Sequence, residues 1–232
     1  MGETFCKIYA PVIAQHFEPP GQLGVAVSGG VELMAARATL AHQQGQSLLS
    51  FDCRNAFNSM KRRAILPALA DRIPPAVPYA LNIYAREAPL LLFKTATGET
   101  EIVRSSSGVQ QGCNFGPLCF SAGLLPLLRD FKANPPVVNA TIMAYVDDVT
   151  VTLPPEEARN PRAVEAVAAW LQAWMEPLGV ELNRTKSNIL FPPGTDHHSW
   201  SENDRHILER TDLLVASEGT LIVGVPVGTP EY

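Results

Sequence analysis

The sequence predicts an α+β fold in which helices pack on a mainly antiparallel sheet. Three features carry that expectation. Short, β-branched apolar runs recur at Ser47 to Asp52, Thr141 to Tyr145 and Val149 to Leu153. Longer stretches with apolar residues at helical spacing stand between them. The two kinds mix without the strict alternation that a parallel βαβ sheet demands. With 232 residues and 46% hydrophobic side chains, the chain suits one large domain or a compact pair around a sizeable core.

Taken in order, Val31 to His42 (VELMAARATLAH) reads as an amphipathic helix entered through Gly29 and Gly30. Ser47 to Asp52 is a buried strand ending in an acid. Asn58 to Ala70 returns to helical spacing and is stopped by Pro74-Pro75. Val77 to Glu87 is a second short helix. Leu90 to Thr95 and Glu101 to Ser105 flank Thr97-Gly98-Glu99 as a hairpin. A buried helix runs from Gly116-Pro117 to Phe131, with a kink or break expected at Pro126. Strands follow at Thr141 to Tyr145 and Val149 to Leu153. Asn160-Pro161 then supplies an N-cap and a first-turn proline. Val164, Val167, Ala168, Leu171, Trp174, Met175 and Leu178 make one apolar face, ended by Gly179. Ser187 to Phe191 and Thr220 to Val225 are further strands. Pro192 to Ser201 is a loop whose His197-His198 pair lacks ligand spacing and reads as surface.

The formal charge of −5 exerts no global pull on polyanions. A nucleic-acid partner would need bound cations or a local patch, and Arg54 with Lys61-Arg62-Arg63 is the nearest to one. A solvated helix face explains the same run. No apolar stretch reaches the roughly 18–20 residues that span a bilayer. The opening MGETFCKIYA has no basic segment followed by a long apolar one, and it enters directly into a helical pattern, as an internal piece of a longer protein would. The expected location is therefore intracellular, in cytoplasm or nucleus, not secreted and not in a membrane. Cys6, Cys53, Cys113 and Cys119 form no metal-binding spacing and read as free thiols.

In AYVDDVTVTL, two adjacent acids, Asp147 and Asp148, interrupt a strand-forming run. A solvated hairpin turn would account for them. Adjacent carboxylates repel, however, and a divalent cation relieves that repulsion. Carboxylate oxygens suit magnesium, which accepts few protein ligands and leaves room for water and phosphate. A further acid stands at the end of the apolar run in SFDCRNAFNS: Asp52, which a helix N-cap role would also explain. If that strand lies beside the hairpin, Asp52 and Asp147 face the same ions, the arrangement that clamps attacking and leaving oxygens in phosphoryl transfer.

At this point the sequence resembles a known family. SFDCRNAFNS resembles polymerase motif A of reverse transcriptases, SSSGVQQGCNFGPLCFS motif B and AYVDD motif C; GVELNRTKSNIL is similar to motif D and LIVGVPVG to motif E. All five stand in the family's order. GQLGVAVSGGVELMAARATL, with FDCRNAFNSM after it, is similar to the reverse transcriptases of non-LTR retrotransposons. The resemblance implies a palm with partial fingers: residues 1–46 as partial fingers and entry helices, and 47–232 as palm carrying motifs A to E, with a fingers-type insertion around 74–105. It implies the RNA-directed DNA polymerase core of a retroelement, adding dNTPs to a primer 3′-hydroxyl with two Mg2+ ions, for which Mn2+ can substitute. The implied partners are an RNA template, a DNA primer, dNTPs, and the remaining fingers, thumb or other domains of a larger polyprotein.

The roles carry over residue by residue. Asp52 and Asp147 would bind the metals with Asp148 assisting, and the backbone carbonyl of Cys53 would complete one coordination sphere. Phe57 falls at the family's aromatic steric gate against a ribose 2′-hydroxyl; a core aromatic is the plainer reading. Gln111 and Gly112 would lie by the incoming nucleotide and template, Gly112 allowing close backbone approach. Lys186 would steady or protonate the departing diphosphate, where an exposed lysine is the plainer reading. Gly224 and Pro226 would sit in the hairpin that grips the primer. Arg54, Lys61 and Arg62 would touch nucleic-acid phosphates.

The chain departs from the family after the motif B Gln-Gly, where Cys113-Asn114 replaces the common Asp-Pro. A different reading is a catalytically inactive remnant, or nucleic-acid-binding module, that keeps the fold. An RNA-dependent RNA polymerase is a further rival, disfavoured because that group usually carries Gly-Asp-Asp at the hairpin and an acid where Phe57 stands. An unrelated protein with a structural metal or none would place Asp52 far from Asp147.

Overall fold

The computed structural model describes residues 2–85, 88–94 and 96–229, with positions 88–94 and 103 through the backbone alone. From the N-terminus, α1 (Gly2–Ile8) and α2 (Ala10–Phe17) lead into α3 (Gly30–Gln43), which begins where Gly29 takes a φ of 66°. β1 (Ser47–Phe51) and the two-residue β2 (Cys53–Arg54) follow, with Asp52 between them. The helix expected over Asn58 to Ala70 is instead two, α4 (Ala56–Ser59) and α5 (Arg62–Arg72). Tertiary contacts override helical spacing at the break. The Lys61 N–H donates to the Leu178 carbonyl at 2.7 Å, and Met60 is wholly buried.

A 3₁₀ turn (Pro74–Ala76) opens α6 (Val77–Tyr84). The expected end of that helix, Glu87, lies outside the described residues, as does Thr95 at the end of the next expected strand. β3 (Ala88–Lys94) and β4 (Glu99–Ser105) form an antiparallel hairpin. α7 (Gly116–Ala133) continues through Pro126 without a break. β5 (Thr141–Tyr145) and β6 (Asp148–Leu153) precede α8 (Pro161–Leu178), whose N-cap Asn160 accepts from the Arg162 N–H at 3.0 Å.

The rest comprises β7 (Glu181–Leu182), β8 (Asn188–Leu190), a 3₁₀ turn (His197–Ser199), α9 (Glu202–Glu209), β9 (Leu214–Ala216), β10 (Gly219–Ile222) and β11 (Val225–Gly228). Sequence reading did not anticipate α9 or β9. The single strand expected over Thr220 to Val225 is a hairpin, turned at Val223 and Gly224 with φ of 47° and 80°.

The central sheet has the order β5-β6-β1-β8-β9, antiparallel except for the β8–β9 pair. Strand alternation divides its side chains. Leu49, Phe51, Val149, Val151 and Ile189 enter the larger core with Phe120 and Phe131 of α7 and Val164 and Leu171 of α8. Leu48, Met143 and Leu190 face the other way, onto Met34 and Ala38 of α3 and Ile222 and Val227 of the β10–β11 hairpin. Phe5, Ile13 and Phe17 of α1 and α2 join the larger core. Trp170 and Trp174 are half-buried against it, and the Trp174 indole N–H donates to Asp130 Oδ2 at 3.1 Å. All four cysteines are free. Among the described residues no helix is long and apolar enough to cross a membrane.

Candidate active site

The β1–β6 register decides where the acids meet. Phe51 stands opposite Val149 in the antiparallel pair. One step further along each strand come Asp52 and Asp148, and alternation turns both to the side away from α7 and α8. Asp147 lies in the two-residue turn that closes the Tyr145–Asp148 pair. Carboxylates from distant parts of the chain thus gather at one end of the sheet.

Their electrostatics record the crowding. Burial, and then the charges of Asp147 and Asp52, push the Asp148 carboxyl up to about 6, with Lys186 pulling the other way. Burial raises Asp147 as well; its own backbone N–H opposes the shift and Asp52 adds to it. The buried Cys53 thiol is held protonated, first by desolvation and then by the fields of Asp147, Asp52 and Asp148. Such a group of partly desolvated hard oxygens fits a divalent cation, which would lift the penalty on every charge at once. Among the described residues no three His, Cys, Asp or Glu side chains already close around one point as a finished cage. Asp52 is instead held by protein partners. Its Oδ2 accepts from Asn183 Nδ2 at 2.8 Å, its carbonyl from the Asn183 N–H at 2.8 Å, and its own N–H donates to Ser187 Oγ at 3.1 Å.

Phe57, half-buried, stacks on Phe120 with ring centroids 5.2 Å apart, so its ring is also a core aromatic. The loop after β4 docks beneath it. The Val109 N–H donates to the Phe57 carbonyl at 2.6 Å, the Gly108 N–H to the Met60 carbonyl at 2.9 Å and Ser107 Oγ to the Asn58 carbonyl at 2.9 Å. Gly108, at φ 66°, presses its Cα against the Phe57–Asn58 peptide, where a Cβ would overlap backbone atoms. Gln111 and Gly112 lie exposed beyond this loop. Gly112 has a φ of 80° and nothing of the protein stands before it.

Lys186 is exposed, in the turn between Asn183 and β8. Gly224 forms the β10–β11 turn, and Pro226 is exposed on β11 opposite Leu221. Arg54 is exposed on β2. The Lys61 stem lies over Gly179 at the end of α8. Arg62 departs from expectation, because its guanidinium is directed into the protein. It donates to the carbonyls of Gly108 (2.9 Å), Ser105 (3.1 Å) and Ser107 (3.2 Å) and to Ser105 Oγ (2.9 Å), and it lies 5.4 Å from the Tyr84 ring centre. The pull of several backbone carbonyls on one planar cation accounts for the difference.

The family model described as reverse transcriptase (RNA-dependent DNA polymerase) matches residues 4–220. The chain belongs to the reverse transcriptase family. It is 35% identical over 198 residues to the retrotransposable element SLACS 132 kDa protein of Trypanosoma brucei gambiense; the match takes in 80% of this chain and 15% of that protein. The fold is similar to part of apo telomerase from Candida tropicalis, with a TM-score of 0.64 at 9% identity, over 98% of this chain and 39% of that one. It is similar also to telomerase from Candida albicans, with a TM-score of 0.60 at 10% identity, over 84% of this chain and 36% of that one. The chain therefore spans a minor part of the length of each relative.

Sequence reading missed two side chains that shape this candidate site. Asn183 holds Asp52, and a local signal existed, since its Oδ1 accepts from the Thr185 N–H at 3.2 Å as an Asx turn does. Gln22, wholly buried beside the Asp147 turn, had none beyond its place between two glycines.

Proposed function

We propose that this reverse transcriptase domain is the RNA-directed DNA polymerase core of a retroelement protein. It would extend a DNA primer on an RNA template, transferring a nucleotidyl group from a dNTP to the primer 3′-hydroxyl with release of diphosphate. The convergence of Asp52 with Asp147 and Asp148 at the end of β1 and β6, within a reverse transcriptase fold, carries this reading. Residues 1–46 would serve as partial fingers and entry helices, and 47–232 as palm, with a fingers-type insertion around 74–105.

Asp52, Asp147 and the Cys53 carbonyl would hold two Mg2+ ions, or Mn2+ in their place, with Asp148 tuning the charge. When bound, such ions supply positive charge to the attacking and departing oxygens. The chain's own groups do the rest. Asn183 and Ser187 fix Asp52 from both sides of its peptide. Phe57, braced by its stack on Phe120, would exclude ribonucleotides by clash with the ribose 2′-hydroxyl. Gln111 and Gly112 border the nucleotide and template. Lys186, whose charge reaches Asp148, would steady the leaving diphosphate or protonate it. Gly224 and Pro226 would grip the primer strand, while Arg54 and Lys61 offer charge to its phosphates.

Primer extension on an RNA template with Mg2+ tests the reading. Asp147→Ala is expected to lose about 10³-fold or more in rate, several kcal/mol of lost charge stabilisation. Deoxynucleotides should be used well ahead of ribonucleotides. Extension that persists in Asp147→Ala, or that is absent from the parent chain and from a longer protein containing it, would leave the fold without the chemistry.

A further inference from the structure

Gln22 has all of its polar side-chain atoms engaged with backbone, although the residue is fully buried. Its Oε1 accepts from the Val146 N–H at 2.8 Å and from the Gly24 N–H at 2.9 Å, and its Nε2 donates to the Val146 carbonyl at 3.1 Å. One amide thus grips both polar groups of one residue, 124 positions away. The neighbouring backbone prepares this grip. The Ala144 N–H donates to the Gly21 carbonyl at 2.8 Å, and the Leu23 N–H to the Ala144 carbonyl at 2.7 Å, a short parallel bridge alongside β5. The chain then turns away at Gly24, where a Cβ would run into Val146. The Gln22 side chain takes over where main-chain pairing stops.

What is gripped is under strain. Val146 has a φ of 55°, a left-handed conformation that a β-branched residue strongly disfavours. Such strain persists only where the surroundings impose it. Val146 is also the residue directly before Asp147. We infer that Gln22 is a positioning residue, which locks the Val146–Asp147 turn in its strained form and so fixes the direction of the Asp147 carboxylate. The consequence for catalysis rests on the role proposed for Asp147 above; the hold on the turn does not.

Two readouts in the whole chain keep these apart. Gln22→Met preserves length and removes all three hydrogen bonds, while Gln22→Glu keeps the acceptor and removes the donor. Residue-resolved amide exchange without nucleic acid or metal should show the Val146 N–H exchanging about tenfold or more faster in Gln22→Met, with the β1–β6 ladder amides unchanged, as a local opening requires. Gln22→Glu should stand between Gln22→Met and the parent. In primer extension, Gln22→Met should lower kcat about 10–100-fold and leave the KM for dNTP within about threefold, the signature of a displaced catalytic group. Adding Val146→Gly should return part of that loss, because glycine adopts the turn without the clamp. Unchanged exchange at Val146, or equal acceleration throughout the sheet, would overturn the inference. So would an undiminished kcat in Gln22→Met when the parent extends primers. If the parent shows no Asp147-dependent extension, the polymerase reading fails, and the exchange experiment still decides whether Gln22 holds the turn.

Discussion

Asp148 pays first for burial and then for its acidic neighbours. Its carboxyl keeps a proton up to about 6 in the folded chain, against an ordinary value of 3.8. Between those values the native state binds more protons than the unfolded one, so stability must fall as pH rises through the interval. Without divalent ions, the melting temperature is therefore expected to drop between pH 4 and pH 7. Asp148→Asn should flatten that part of the profile, and added Mg2+ should restore the parent's stability at pH 7. Circular dichroism melts check this, and a parent profile as flat as that of Asp148→Asn would contradict it. The acids were legible in the sequence because a charged pair in an apolar, β-branched run violates its local pattern. Asn183 carried only the local signal of an Asx turn and Gln22 none, because an amide in a glycine-bounded loop violates nothing. Their meaning lies in partners 131 and 124 positions away.

The clearest dependence between elements runs through the loop joining β4 to α7. It is pinned to α4 and α5 by Gly108, Val109 and the guanidinium of Arg62. Arg62→Met should cost about 1.5–3 kcal/mol, the scale of hydrogen bonds to a charged group, in urea denaturation. It should also hasten proteolysis at the 96–98 turn. Gly108→Ala should cost more, since its methyl group would overlap the Phe57–Asn58 peptide. Loss of stability from Arg62→Met no larger than from Arg63→Met, an exposed neighbour, would show that the tie carries nothing. Elements with strong local signals were readable: the Asn160 cap, the Gly179 stop, the Thr97-Gly98 turn. The residue pattern over Thr220 to Val225 read as one strand because a valine in left-handed conformation at the turn looks like strand continuity, and only the family resemblance implied a hairpin at Gly224 and Pro226. The α4–α5 break was missed because Leu178, not the local sequence, dictates it.

The whole molecule is knit by one large core that runs from the sheet through α7 and α8 to the N-terminal helices. Phe17, fully buried in α2, is a sensitive probe of that union, and Phe17→Ala should cost about 3–5 kcal/mol. Near- and far-ultraviolet signals should lose structure in one coincident transition; an early separate transition assigned to α1 and α2 would contradict a shared core. The α+β class and the antiparallel sheet were legible because period-2 and helical patterns are local. The docking of α1 and α2, and the placing of β9 beside β8, depend on surfaces that form only once the chain has folded. The β1–β6 register also bears on what short insertions would do. One extra residue between Ser47 and Asp52 would rotate the acid onto the side facing α7 and α8. Two would restore the side but carry the acid about 7 Å along the strand. Because β1 is the buried central strand, short insertions in that run should disturb the proposed site and cost stability together, whereas the same lesion at the exposed 96–98 turn should pass almost unnoticed.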